Sequence, residues 1–179
     1  RERTNLIRHG VVLTGVGDSG NVTYKRSRQG NAYVDRAITH VLKHRGRVHR
    51  LVDFSPNGYD ERQYCSPGFN LPVGCFMRTS HGEYPEYHTS ADNLEFVLPE
   101  ALQESLEILL HAIYVIENDV RNLSTNIYCE PQLGKRGLYR AIAGQKEGAQ
   151  KEMALLWVLN LSDGHHTLLD IAERANTPF

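Results

Sequence analysis

The chain has 179 residues, of which 40% are hydrophobic and 23% charged, enough for one folded domain or a domain with a small appendage. Its formal net charge of -1 excludes the basic character of a general polyanion binder, and no apolar run approaches the roughly 20 residues that span a bilayer. No basic-then-apolar leader opens the chain, and Cys65, Cys75 and Cys129 show no CxxC spacing. These features exclude a disulfide framework or a zinc knuckle and lead us to expect three buried thiols in a cytoplasmic protein.

The predicted elements begin with a short apolar strand, 11–16, that stops at Gly17-Asp18-Ser19-Gly20. Residues 31–43 place Ala32, Val34, Ala37, Ile38, Val41 and Leu42 at helical spacing, with Lys43, His44 and Arg45 suited to the negative end of the helix dipole. Residues 48–54 alternate like a strand. A loop rich in Gly, Pro, Asn and Asp covers 55–70, and 71–77 form another apolar strand with Pro72 near its start. A second loop, 78–93, leads into an amphipathic helix over 99–120, whose apolar stripe is Leu102, Leu106, Leu109, Leu110, Ile113 and Ile116. The order predicts an α/β domain: part of a mixed, mainly parallel sheet flanked by helices.

After Asn122 the composition changes. Residues 123–135 read as a linker, and 136–179 as a partial winged helix-turn-helix with helices near 147–159 and 167–175 joined by a turn at Ser162-Asp163-Gly164. The first domain is therefore expected over 1–122. The chain starts at Arg1 without an initiator Met and stops just past a helical pattern, and we read it as a fragment of a longer protein.

The chemistry-bearing residues concentrate in the two loops around the 71–77 strand. One holds Tyr59-Asp60-Glu61-Arg62-Gln63-Tyr64 and the other Glu83-Tyr84-Pro85-Glu86-Tyr87-His88-Thr89-Ser90-Ala91-Asp92-Asn93. Ionisable and aromatic side chains on loops held by a rigid scaffold are where binding and catalysis concentrate. His88 is the leading candidate metal ligand, and Asp92, four residues on, could hold its second ring nitrogen.

Tyr87-His88-Thr89-x-x-Asp92, downstream of an Asp-containing loop and a Leu-Pro strand, resembles the end of the co-catalytic zinc aminopeptidase superfamily, which also contains the glutaminyl cyclases. The longer strings, Asp60 to Val73 and Glu86 to Asn93, with Gly17-Asp18 and Tyr24-Lys25-x-Ser27-Arg28, are similar to one bacterial branch. Its members are aminopeptidase-like proteins labelled as polysaccharide-biosynthesis-associated, with a C-terminal winged helix. The resemblance implies an aminopeptidase-like fold, zinc, and a peptide or small amide substrate. It casts His88 and Asp18 as ligands, Tyr87 as stabiliser of the tetrahedral intermediate and Asp60 as the carboxylate that orients groups or assists proton transfer. Arg62 and Arg28 could grip a substrate carboxylate. The superfamily's upstream His, bridging Asp and Glu–Glu pair have no counterpart in Arg1 to Gly10, where His9 alone makes no site. The chain by itself is thus expected to bind zinc weakly or not at all and not to turn over.

Two other readings stay open at this stage. One is a catalytically silent relative that binds a peptide or amino-sugar ligand. The other is a DNA-binding regulator resting on 162–175, where Asp163, Asp170 and Glu173 oppose a phosphate-contacting role, so nucleic acid is not an expected partner. A membrane partner is not expected, and a homo-oligomer is compatible with the sequence.

Overall fold

The computed structural model describes residues 3–138 and 146–179. Residues 139–145 of the predicted 136–179 module, and the first two residues of the predicted 1–122 domain, lie outside the described residues. The chain forms two compact units, Arg1–Ile116 and Glu117–Phe179.

The first unit is built from β1 (Gly10–Leu13), β2 (Val22–Lys25), α1 (Tyr33–His44), β3 (His49–Val52), α2 (Glu61–Tyr64), β4 (Val73–Met77) and α3 (Pro99–Asn118). The sheet order is β1-β4-β2-β3. β1 pairs with β4 and β2 with β3 in parallel, while β2 and β4 run antiparallel. This is the mixed, mainly parallel sheet flanked by helices that the pattern of elements predicts.

β2 is the element that periodicity did not reveal. All four of its residues are buried, Thr23 and Lys25 included, so no apolar–polar alternation marks it. Tyr24 is fully buried. A Cβ at Gly74 would stand 2.1 Å from its phenol oxygen, so the glycine in β4 is the space the tyrosine ring occupies.

The turn from β2 into α1 is organised by one buried carboxylate. Asp35 accepts from the Tyr24 hydroxyl at 2.9 Å, the Ser27 N–H at 2.8 Å, the Ser27 hydroxyl at 2.6 Å and the Ala32 N–H at 2.9 Å. The last of these satisfies a donor at the helix start that would otherwise be orphaned. Val34, Ala37, Ile38, Val41 and Leu42 then form the buried face of α1.

α3 departs from expectation in orientation. The residues it buries are Ala101, Ser105, Ile108, Ala112 and Val115. Leu102, Leu106, Leu110 and Ile113, read from sequence as its apolar stripe, are 43%, 56%, 54% and 54% exposed. Small side chains let the helix approach closely, and the Ser105 hydroxyl reaches the Val16 carbonyl at 2.8 Å. Cys65 and Cys75 are buried as expected, but Cys129 is exposed, in a left-handed loop conformation outside any core.

The second unit contains β5 (Arg121–Leu123), α4 (Lys146–Leu161), β6 (Asp163–Thr167) and α5 (Leu168–Ala175), with β5 and β6 antiparallel. β5 belongs here, so the composition break read after Asn122 falls inside a strand. The predicted turn at 162–164 opens into β6 instead. Asp163 Oδ1 accepts from the His165 and His166 N–H groups, and pairing with β5 carries the segment on as a strand. Thr167 and Asp170 cap α5 reciprocally, at 3.2 and 2.8 Å. Among the described residues, no helix is long and apolar enough to cross a membrane.

Candidate active site

The site lies on loops that leave β1, precede α2 and follow β4. Asp18, on the first, is 4% exposed. Its Oδ1 accepts from Thr79 Oγ1 at 2.6 Å and Gly20 N at 2.7 Å, and Oδ2 accepts from Thr79 N at 3.2 Å. A Cβ at Gly20 would meet Thr79 Oγ1 at 2.0 Å, so this close approach needs the glycine. Arg78, also buried, braces the same loop by donating to the Gly20 carbonyl at 2.9 Å and to Glu104 on α3 at 3.0 Å. Burial pushes Glu104 upward, yet the Arg78 and Arg47 guanidiniums hold its carboxyl below the usual range.

The second loop is pinned by a buried ion pair. Lys25 Nζ lies 2.9 Å from Glu61 Oε1, with side chains 5% and 0% exposed. The ammonium also donates to the Asn57 carbonyl and lies 5.2 Å from the Phe54 ring centroid. Glu61 Oε2 takes the Tyr59 N–H at 3.1 Å. Gly58 adopts φ 144°, and a Cβ there would come within 2.3 Å of Glu61 Oε1. The inward carboxylate of this loop is therefore Glu61. Asp60, to which the resemblance gives the role of orienting groups or assisting proton transfer, is exposed at the start of α2 and forms no capping bond. Arg62 is exposed on α2, and Arg28 is exposed and bonded to Asn70 Oδ1 at 3.0 Å.

Tyr59, held by that anchor, faces the third loop. Its ring meets His81 edge-on at 5.3 Å, and the His81 ring lies 6.4 Å from that of Tyr87. Burial first, and the Tyr87 contact second, push the Tyr59 phenol up to about 12, so it stays protonated throughout the physiological range. Tyr84 packs on Tyr87 at 5.5 Å and on Phe96 at 5.3 Å. Burial raises the Tyr84 phenol, and so does the negative charge of Asp92 and Asp18.

His88 is exposed, its ring stacked on Tyr87 at 3.9 Å, and its backbone is left-handed with φ 58°. Among the described residues no hydrogen bond joins Asp92 to His88, and the charge of Asp92 acts on Tyr84 instead. A left-handed non-glycine residue costs about 1–2 kcal/mol. The unfolded-state freedom of a glycine offsets roughly 0.4–1 kcal/mol of that. His88→Gly is therefore expected to raise the unfolding free energy by up to about 1 kcal/mol in urea titrations. A loss of stability would show that stacking on Tyr87 outweighs the backbone strain.

These positions allow a test of fit for zinc. Among the described residues His88 has no hydrogen-bond partner on its ring and Asp18 Oδ2 accepts a single bond, so each can chemically donate to a metal. Two residues fall short of the three or four protein ligands zinc takes. Among the described residues, no group of three or more His, Cys, Asp or Glu could hold a metal ion. The described residues alone do not fit zinc.

Residues 1–119 match a family described as a domain of unknown function, DUF4910. The chain belongs to that family. Residues 121–179 of this DUF4910 protein match a winged helix-turn-helix. A curated protein of Clostridium acetobutylicum, named "Putative polysaccharide biosynthesis protein with aminopeptidase-like domain", is 48% identical over 178 residues, which are 99% of this chain and 41% of that protein. A crystal structure from the same organism, described as that of a "putative peptidase", matches with TM-score 0.88 and 44% identity over 99% of this chain and 39% of its own. The DUF4910 chain thus spans about two fifths of the length of these relatives.

Sequence reasoning named Tyr87, His88 and Asp18 but gave no role to Tyr59, His81, Tyr84 or the Lys25–Glu61 pair. A signal for the pair was present. In Tyr24-Lys25-x-Ser27-Arg28 every named side chain holds a partner: Tyr24 and Ser27 hold Asp35, Lys25 holds Glu61, and Arg28 holds Asn70. A lysine inside a strand-forming string is an instruction to look for a buried carboxylate.

Proposed function

We propose that the first unit is part of the active domain of an aminopeptidase-like hydrolase acting on a peptide or small amide. The observation that carries this reading is convergence. Asp18, Tyr59 and Tyr87 come from three separate loops, yet Asp18 accepts from Thr79 at the start of the third loop, and His81 of that loop lies 5.3 Å from the Tyr59 ring and 6.4 Å from the Tyr87 ring. The aminopeptidase-like domain in the name of the Clostridium relative supports it.

In this reading the protonated Tyr59 donates to Tyr87, which leaves the Tyr87 hydroxyl proton to donate to charge developing on a substrate carbonyl oxygen. Arg62 and Arg28, both exposed, are assigned to grip a substrate carboxylate. Asp60 is assigned to orienting groups or assisting proton transfer. His88 and Asp18 are assigned as zinc ligands, with the remaining ligands and the general base coming from polypeptide outside these 179 residues. Zinc would supply Lewis acidity to that completed site.

Metal analysis of the full-length protein tests the ligand assignment. His88→Ala should lose zinc on dialysis that leaves the parent loaded, and unchanged zinc content removes His88 from the ligand set. On aminoacyl anilides, Tyr87→Phe should lower kcat about 100-fold with little change in KM, the typical loss for one oxyanion donor. An unaltered kcat would sink the role given to Tyr87.

A further inference from the structure

We propose that His81 is a positioning residue for Tyr87, on the hydrolase reading in which Tyr87 donates to the developing oxyanion, and that Arg50 of β3 clamps the turn that presents it.

The turn is Ser80-His81-Gly82-Glu83. The Glu83 N–H closes it on the Ser80 carbonyl at 3.0 Å, and Gly82 takes the positive φ, 74°, that the third position of a type II turn requires. A Cβ at Gly82 would meet nothing within 4 Å, so the backbone angle and not crowding calls for the glycine. His81 therefore stands at the first corner of the turn. Arg50 reaches both ends of it from β3, an edge of the sheet. Its guanidinium donates to the two Glu83 carboxylate oxygens at 3.0 and 2.9 Å and to the Ser80 hydroxyl at 2.6 Å. Thr79, just before the turn, is held separately by Asp18.

The Arg50 and Glu83 side chains are 48% and 49% exposed, and an ion pair so placed adds little to overall stability. A two-pronged guanidinium–carboxylate contact does fix direction. With the Ser80 hydroxyl as a third acceptor, the clamp holds the turn in one orientation.

His81 depends on that hold. Its ring lies edge-on to Tyr59 at 5.3 Å and 6.4 Å from Tyr87, so it links a ring of the preceding loop to a ring of its own. Its Nδ1 is buried and, among the described residues, has no hydrogen-bond partner. Native structures leave few buried polar atoms in that state. The imidazole is thus placed by the backbone that carries it and not by a hydrogen bond from its Nδ1. Loosening the turn withdraws the ring from beside Tyr87.

The test uses the full-length protein and aminoacyl anilides. His81→Ala should lower kcat about tenfold with little change in KM, because an error of about 1 Å in a positioned group can cost up to about 100-fold in rate. His81→Phe, which keeps a ring at the corner, should recover most of that loss. Equal losses in the two variants overturn the proposal, and so does an unchanged kcat in His81→Ala. Added to Tyr87→Phe, His81→Ala should have no further effect, and an additive loss overturns action through Tyr87. Fluorotyrosine in place of Tyr87 supplies a readout that needs no turnover. Arg50→Ala leaves every ring present, so its fluorine resonance should move or broaden only if the clamp sets the position of Tyr87. Arg26→Ala, which breaks the Arg26–Asp53 pair away from the turn, should leave the resonance where it is. An unmoved resonance in Arg50→Ala overturns the clamp. Where the parent protein hydrolyses no anilide, the hydrolase reading falls, and the resonance still decides whether Arg50 places Tyr87.

Discussion

Asp35→Ala is expected to destabilise the first unit by on the order of 4 kcal/mol, a large share of the 5–15 kcal/mol that holds a typical domain together. The carboxylate accepts four hydrogen bonds from three residues. Tyr24 and Ser27 are fully buried and Ala32 is 7% exposed, so alanine would leave donors that water cannot reach. Bonds to a charged acceptor contribute roughly 1.5–3 kcal/mol each, and an abandoned buried donor costs about 1–3 kcal/mol. The terms do not add fully, because the freed side chains share one cavity and relax together. Asp35→Asn keeps the shape but replaces one oxygen with a donor facing donors, so about half the loss is expected. Urea unfolding followed by far-UV circular dichroism reads both variants. A loss under about 1 kcal/mol in Asp35→Ala would mean that the β2–α1 turn is held by packing alone.

Lys25→Met should cost about 3–5 kcal/mol, the penalty for leaving a buried carboxylate without its cation. Glu61 is fully buried, 2.9 Å from the ammonium, and no solvent compensates it. Glu61→Gln alone should cost less, since a neutral amide can still accept the Tyr59 N–H while Lys25 keeps the Asn57 carbonyl. Combining Lys25→Met with Glu61→Gln removes the stranded charge and should recover part of the single-variant loss. A double-mutant cycle in urea therefore predicts a coupling of at least 1 kcal/mol, and additive losses would show that the pair does not act as a unit. The same variants bear on the site, because Glu61 anchors the backbone of Tyr59. Loss of the pair should lower the rate on aminoacyl anilides even where the protein remains folded.

The pair shows where local reading stops. Lys25 and Glu61 are 36 positions apart, and neither segment says which residue of the other it will meet. The sequence singled out the Asp60-Glu61 loop but not which carboxylate turns inward. The anchoring Lys25 arrives from β2, a strand without alternation. His88 was legible from its neighbours, whereas its left-handed backbone, its stacking on Tyr87 and the separation of Asp92 from its ring were not. Those features depend on how the loop 78–93 packs its His81 against Tyr59 from the preceding loop.

By itself the sequence determined the periodic helices α1 and α3, the continuous apolar run of β4, the mixed and mainly parallel character of the sheet, and the loops on which the candidate site sits. Periodicity is a local consequence of backbone geometry, so it survives without knowledge of partners. Only the tertiary structure decided that β2 lies inside the sheet with a lysine buried in it. It alone also decided that α3 turns its small residues inward and its leucines outward. Burial is set by what lies opposite, and an apolar stripe states that a face wants covering without stating which part of the chain will cover it.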